Sequence, residues 1–501
     1  MKNLLSSDHR SSGVLLHVSS LPSPWGIGDL GASARRFVDC LGAGGQQLWQ
    51  MLPLNPTDAA AGDSPYFSSS SQAGNPMFVS LEDLVEQGYL DARHLADLTP
   101  VPEGGADFSR ARSLKEPLLV IAADAVLREQ SAAYRGFCAS AASWLDDHAL
   151  FSVLKRAHNG CWLDWPGKLK HRDAVILRGA RAEHSDEIER EKAIQFLFDQ
   201  QWQALKRYAN ERQVALFGDM PIYVNTDSVD VWSAPEVFQL DGELCPRLYS
   251  GVPPDYFSAT GQLWRNPVYD WACLQEQDFT WWVMRLRTLL QRFDLLRIDH
   301  FRGLAQYWAV DADAENAING QWLDVPSRPL FDTLKAALAP LPIVAEDLGT
   351  ITPDVIALRD AYDLPGMVVL QFAFGDDYDD NPHKPINHRE NSVAYLGTHD
   401  NTTALDWLSS ELDDAAWQRL KQYGDCSVDG AGVRHLLDLL LASPARLAVV
   451  TAQDLLALDG SARMNTPGTS EGNWLWRLTP AQLDALPMDW LRERGQAHGR
   501  G

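Results

Sequence analysis

Short apolar and β-branched runs bounded by turn formers recur along the chain, at residues 14–21, 47–54, 214–224, 295–301, 343–347, 367–374, 393–398 and 447–451. Successive residues within them are apolar instead of alternating with polar ones, the pattern of strands covered on both faces. Between the runs the period changes. Ile194, Leu197, Phe198, Trp202, Leu205 and Tyr208 recur at the spacing that places them on one helical face, just ahead of the third run. Residues 330–338, 353–362 and 436–441 read as helices ahead of the fifth, sixth and eighth runs. Doubly covered strands alternating with helices predict an α/β fold, and eight of them predict a (β/α)₈ TIM barrel.

Two stretches exceed what a minimal barrel needs. Residues 1–54 hold the first two strands, 191–224 the third strand with its helix, and 286–501 strands four to eight. The intervening 55–190 carries Ala-rich helical segments and reads as a helical insertion, and 225–285 is aromatic and rich in Pro and Gly. Each follows a predicted strand, so both project from the C-terminal rim, where barrel active sites lie, and wall a cleft there.

Composition narrows the partners. The 501 residues include 18 Trp, 13 Tyr and 17 Phe, flat side chains suited to a core and also to stacking on sugar rings. A formal charge of −24 repels a phosphate backbone, so nucleic acid and anionic membrane are not expected partners, while a neutral substrate is compatible. Cys40, Cys138, Cys161, Cys245, Cys273 and Cys426 form no CxxC pair and no zinc pattern, and are expected to be buried free thiols. MKNLLSSDHR has no apolar run of signal-peptide length, and no stretch approaches membrane-spanning length, so a cytoplasmic protein is expected. No heptad or apolar stripe marks an oligomer, and a monomer is the default expectation.

Four carboxylates sit where predicted strands end: Asp219 in LFGDMPIYV, Asp299 in LLRIDHFRG, Glu346 in IVAEDLG and Asp400 in YLGTHDN. Burying a carboxylate costs several kcal/mol unless partners compensate, and one alone reads as a helix cap or structural ion pair. Four aimed into one barrel mouth suit glycoside chemistry, which needs an ionised carboxylate at the anomeric carbon and a protonated one at the leaving oxygen. Arg297 shares a strand face with Asp299 and could hold it ionised. His399 could bond sugar hydroxyls, and His300 reads as a strand-end residue bonding backbone. A hydrolase and a metal-dependent barrel enzyme with the acids as ligands fit the same residues, whereas a non-catalytic glucan-binding protein would be expected to have lost a carboxylate.

The motifs resemble the amylomaltase (4-α-glucanotransferase) family of α-amylase-type barrel enzymes over nearly the whole chain. The resemblance is carried by RSSGVLLHVSSLPSPWGIGDLG, SPYFSSSSQAGNP from Ser64, GDMPIYV, GVPPDYFSATGQLWRNP, RIDHFRG, AEDLG, GTHDN, and RMNTPGT with EGNW. It implies Asp299 as nucleophile, Glu346 as acid and then base, and Asp400 as stabiliser of the distorted donor ring. Arg297, His399 and Asp219 would contact the reacting sugar and the catalytic groups. Ser64 would be a substrate-binding residue and Tyr66 a stacking platform on the donor side. Tyr256, Gln262 and Trp264 would lie on a loop covering the acceptor side. Asn473 and the 463–469 loop would line the groove opposite. The resemblance implies α-1,4-glucans and maltooligosaccharides as substrates, with no metal or organic cofactor. The chain departs from the family pattern at Trp25, where a smaller aromatic is expected, at Arg265, where Gly is expected, and at 325–327, where Val-Pro-Ser replaces a Gly-Pro-Gly turn.

Overall fold

The computed structural model describes residues 5, 9–254, 258–376, 378–424 and 426–500. Its twelve strands are β1 (Ser11–Leu15), β2 (Leu48–Gln50), β3 (Ala215–Met220), β4 (Leu248–Val252), β5 (Gln262–Pro267), β6 (Leu295–Ile298), β7 (Gln306–Asp311), β8 (Gly320–Asp324), β9 (Ile343–Ala345), β10 (Gly366–Val369), β11 (Ser392–Tyr395) and β12 (Leu447–Thr451). Eight of these form one parallel sheet in the order β10-β11-β12-β1-β2-β3-β6-β9. Its two ends meet where the Ala345 N–H donates to the Pro365 carbonyl at 2.8 Å. Asp347 reinforces that seam, accepting from the Met367 N–H at 2.7 Å and pairing with Arg359. The sheet is thus rolled into the expected TIM barrel, with helices such as Ser327–Leu338, Pro353–Ala361 and Gly430–Ala442 ahead of β9, β10 and β12.

Double coverage explains the unbroken apolar runs. Leu447 and Val449 of β12 join Leu15, Leu48, Phe217, Leu295 and Val393 in one buried cluster, while Ala448 and Val450 join the larger cluster that includes the helices. Successive residues of a strand point to opposite faces, and here neither face is open to water. The strands stop earlier than the runs do. Residues 14–21 hold the last two residues of β1 and then a 3₁₀ turn at Val18–Ser20, and 295–301 runs into another at Phe301–Leu304. Both turns are buried, so apolarity there reports burial in the mouth and not extended backbone.

Helix Ser185–Glu211 buries Ile194, Leu197, Phe198, Trp202 and Leu205, and Tyr208, half-buried, donates from its hydroxyl to Asp39 at 2.8 Å. Helices Phe108–Glu129 and Leu145–His158, both between β2 and β3, pack against it. Buried Lys115 on the first of these donates to the Met77 and Val79 carbonyls at 2.7 and 2.9 Å and pairs with Asp29 at 3.4 Å. That cation ties the helices to the loop beyond β1.

A second sheet has no counterpart in the sequence reading. β4 and β5, within 225–285, join β7 and β8, which follow barrel strand β6, in an antiparallel sheet ordered β5-β4-β7-β8. Its strands are half-exposed, so they lack the continuous apolar signal of the barrel. The cysteines also differ from expectation. Only Cys426 is buried, Cys245 is exposed and the other four are half-buried. No described helix is long and apolar enough to cross a membrane.

Candidate active site

The C-terminal ends of β3 and β6 build the floor of the mouth. Register places Asp219 directly beside Arg297, whose Nη1 donates to both Asp219 carboxylate oxygens at 2.9 and 2.7 Å. Nη2 reaches Asp299 Oδ1 at 2.8 Å. One guanidinium therefore bridges two carboxylates, with the Asp219 side chain fully buried and that of Asp299 31% exposed. Asp299 is fastened where its backbone N–H donates to the Met220 carbonyl at 3.0 Å, one residue beyond the ladder. Burial among protein groups pushes the Asp299 carboxyl up to about 6; Arg297 opposes that rise.

Glu346 follows β9 and is fastened in the same way, its N–H donating to the Ile298 carbonyl at 3.0 Å. Its carboxylate accepts from backbone amides, His300 N–H at 2.6 Å on Oε2 and Leu348 N–H at 3.0 Å on Oε1. Burial pushes its pKa up to about 7, with Arg297 and the two amides pulling against it and Asp299 adding to it. Asp299 is ion-paired, and Glu346 has no ion pair among the described residues. That asymmetry separates a carboxylate that ionises first from one that keeps its proton longer.

Beyond β11, Asp400 accepts from Asn465 Nδ2 at 2.6 Å and lies 3.3 Å from His399 Nε2, with 40% of its side chain exposed. Arg463 secures the backbone there, donating to the Asp400 carbonyl at 2.7 Å. The Tyr66 hydroxyl donates to Asp219 Oδ2 at 2.7 Å and lies 2.8 Å from His399 Nε2. With the tyrosine proton on Asp219, His399 is the donor in the second contact. The rings of Tyr66 and His399 stack at 5.4 Å. Asp219, Arg297, Tyr66 and His399 are thus one connected network from β3 to the loop after β11.

The remaining sequence-predicted residues divide. Trp264 on β5 packs edge-on to His300 at 4.8 Å, and its Nε1 donates to Gln262 Oε1 at 3.1 Å, so these two share a wall of the mouth. Tyr256 lies outside the described residues. The Ser64 hydroxyl accepts from the Tyr66 N–H at 3.3 Å and so shapes the turn that presents the ring. Asn473 is half-buried; it accepts from the Thr466 N–H at 2.9 Å and donates to the Thr469 carbonyl at 3.0 Å, fastening the 466–469 loop to itself. His300 differs from its reading. Its backbone N–H serves Glu346, and ring Nε2 is buried with no partner among the described residues.

Three residues of the mouth were not singled out in the sequence. Asn465 holds Asp400, and Trp474 lies 5.8 Å from Tyr66 and 6.1 Å from His399. Both fall inside segments that carry the family resemblance, which was the available signal. His17, beyond β1, is buried with Nδ1 unpartnered among the described residues, and burial and nearby His399 lower its pKa to about 3. It lies within an apolar run that looks like strand, which conceals it. Of the departures, Trp25 is buried and donates to Glu82 at 2.8 Å. Arg265 takes a left-handed φ of 58°, the conformation that glycine adopts without cost.

A (β/α)₈ barrel whose mouth gathers acidic side chains around one buried arginine, walled by tyrosine and tryptophan, defines a carbohydrate-active barrel enzyme of the carboxylate type. Comparison with known proteins narrows the class. The family model described as 4-alpha-glucanotransferase matches residues 16–483, and the chain belongs to that family. It is 44% identical to the 4-alpha-glucanotransferase of Synechocystis sp. over 97% of this chain and 96% of that one. It is 43% identical to that of Thermus thermophilus over 98% and 99%. Among solved structures, the amylomaltase from Streptococcus agalactiae in complex with acarbose superposes with a TM-score of 0.93 at 35% identity, covering 98% of this chain and 100% of that one.

Proposed function

We propose that this member of the 4-α-glucanotransferase family moves α-1,4-glucan segments by a retaining double displacement. Asp299 is the nucleophile, Glu346 the acid and then the base, and Asp400 the stabiliser of the donor ring. The reading is carried by the unequal settings of the two raised carboxyls, Asp299 on Arg297 Nη2 at 2.8 Å and Glu346 on two backbone amides.

In the first step Glu346 gives its proton to the glycosidic oxygen while Asp299 attacks the anomeric carbon, and the reducing-end fragment leaves. In the second, the 4-hydroxyl of an acceptor loses its proton to Glu346 and its oxygen displaces Asp299, so the α-linkage is retained. Arg297, His399 and Asp219 orient the catalytic groups and the reacting sugar. Tyr66, with Ser64 behind it, faces the donor side. Gln262, Trp264 and Tyr256 serve the acceptor side, and Asn473 with its loop the opposite wall. The stretches 55–190 and 225–285 supply Tyr66 and Trp264 and act as walls of the glucan cleft. Selecting sugar over water requires that the acceptor side shed water when occupied.

The acidic chain suits a neutral glucan, and the reading extends to a monomer working in the cytoplasm on maltooligosaccharides and α-1,4-glucans. Incubation with maltotriose tests the activity. Glucose plus maltopentaose and longer chains at constant reducing ends are expected. Glucose and maltose with rising reducing ends would make the chain a hydrolase and overturn the reading.

A further inference from the structure

His300 joins two parts of the mouth that belong to different elements. Its backbone is left-handed, at φ 52°, a conformation that a non-glycine residue adopts only when its surroundings hold it there. In that conformation its N–H donates to Glu346 Oε2 at 2.6 Å. Its ring meets the Trp264 indole edge-on at 4.8 Å and an interplanar angle of 87°. Gly303 leaves room for the ring, since a Cβ there would lie 3.0 Å from His300 Cδ2. Ring Nε2 is buried with no hydrogen-bond partner among the described residues. Packing against Trp264 and Gly303, and not a hydrogen bond from Nε2, therefore holds the imidazole.

We propose that His300 is a positioning residue that couples Trp264 on β5 to the carboxylate of Glu346, so that filling the acceptor side sets the base for the second displacement. The inference rests on the reading of Glu346 as acid and base given above. An acceptor ring on Trp264 holds the indole against the imidazole, which keeps the backbone N–H on Oε2. An N–H donor stabilises the ionised carboxylate, the form that takes the proton from the acceptor hydroxyl as its oxygen bonds to the anomeric carbon and the bond to Asp299 breaks. The first displacement needs the protonated form and gains nothing from this contact.

A double-mutant cycle tests the coupling. His300→Asn removes the ring but tolerates the left-handed backbone, and His300→Phe keeps a ring edge without nitrogens. His300→Asn and Trp264→Ala are each expected to lower kcat for transfer from maltotriose about tenfold, with donor KM within about twofold and a higher share of hydrolysis. The double variant should be no slower than the slower single within about threefold, and His300→Phe should stay within about threefold of the parent. A double variant slowed by the product of the singles, about a hundredfold, would overturn the proposal. So would His300→Phe as slow as His300→Asn. If His300→Asn does not fold, Gly303→Ala crowds the same ring and enters the same cycle with Trp264→Ala, read by the same criterion. Failure of the underlying reading shows separately, as Glu346→Gln retaining transfer.

Discussion

The floor and the rim of the mouth are held by different means. At the floor, Asp219 and Arg297 belong to β3 and β6, Asp299 follows one residue later, and two of the three side chains are almost wholly buried. Their charges compensate one another within a ladder that cannot shift register without moving a whole strand. At the rim, Asp400 follows β11 on a loop, Asn465 reaches it from another, and Trp264 sits on β5, an edge of the four-stranded sheet. These side chains are half-exposed and held by hydrogen bonds from neutral donors or by ring contacts. A buried ion pair that loses one partner leaves an uncompensated charge, whereas a rim hydrogen bond that breaks is replaced by water. The floor is thus suited to fixed chemistry and the rim to contacts that change as sugars enter and leave.

The sharpest test of that contrast is at the floor. Asp299→Asn should lower turnover by at least about 10⁴-fold, because the covalent step loses its nucleophile. Its melting temperature should stay close to that of the parent. Near-normal transfer from maltotriose by this variant would remove Asp299 from the mechanism.

Stability should divide floor from rim even more plainly. Arg297→Met strands the buried Asp219 carboxylate and should cost about 3–5 kcal/mol in urea unfolding. Asp400→Asn at the half-exposed rim should cost less than about 1 kcal/mol while slowing transfer strongly. Equal destabilisation by the two would show that the floor is no better integrated than the rim.

The raised carboxyls carry a pH signature. The proposed double displacement requires Asp299 ionised and Glu346 protonated, so kcat/KM should rise through about pH 6 and fall above about pH 7. Both folded-state values lie above those of an unfolded chain, so the native state binds more protons between about pH 4 and 7. The slope of stability against pH is then negative there, and this contribution to stability is present at low pH and lost by about pH 7. Glu346→Gln removes its part of the penalty and should melt higher than the parent at pH 8, as calorimetry would read. The smallest effect belongs to Asn473→Ala. Its described side-chain bonds stay within the loop it belongs to, so transfer rates should change by less than about threefold.

The barrel was legible because parallel strands covered on both faces leave unbroken apolar runs, and the four acids were legible because a carboxylate closing such a run stands out. The antiparallel sheet was not, since β7 and β8 lack that run. His17 was concealed by the opposite effect, a polar ring inside an apolar segment. Asn465 and Trp474 lay within recognisable motifs, yet nothing in their type or spacing marked them as neighbours of Asp400 and Tyr66.

By itself the amino-acid order singled out the carboxylates proposed to carry the chemistry and predicted that strand ends would present them. Burial periodicity and residue type are local properties of the chain. What each group does to its neighbours was decided by the tertiary structure. Arg297 bonds both Asp219 and Asp299 because register sets β3 beside β6. Glu346 keeps its proton longer because the closed barrel buries it, while Arg297 and the amide of the left-handed His300 pull the other way. Such couplings depend on distances of a few ångströms between segments far apart in sequence, and only the closed barrel sets those distances.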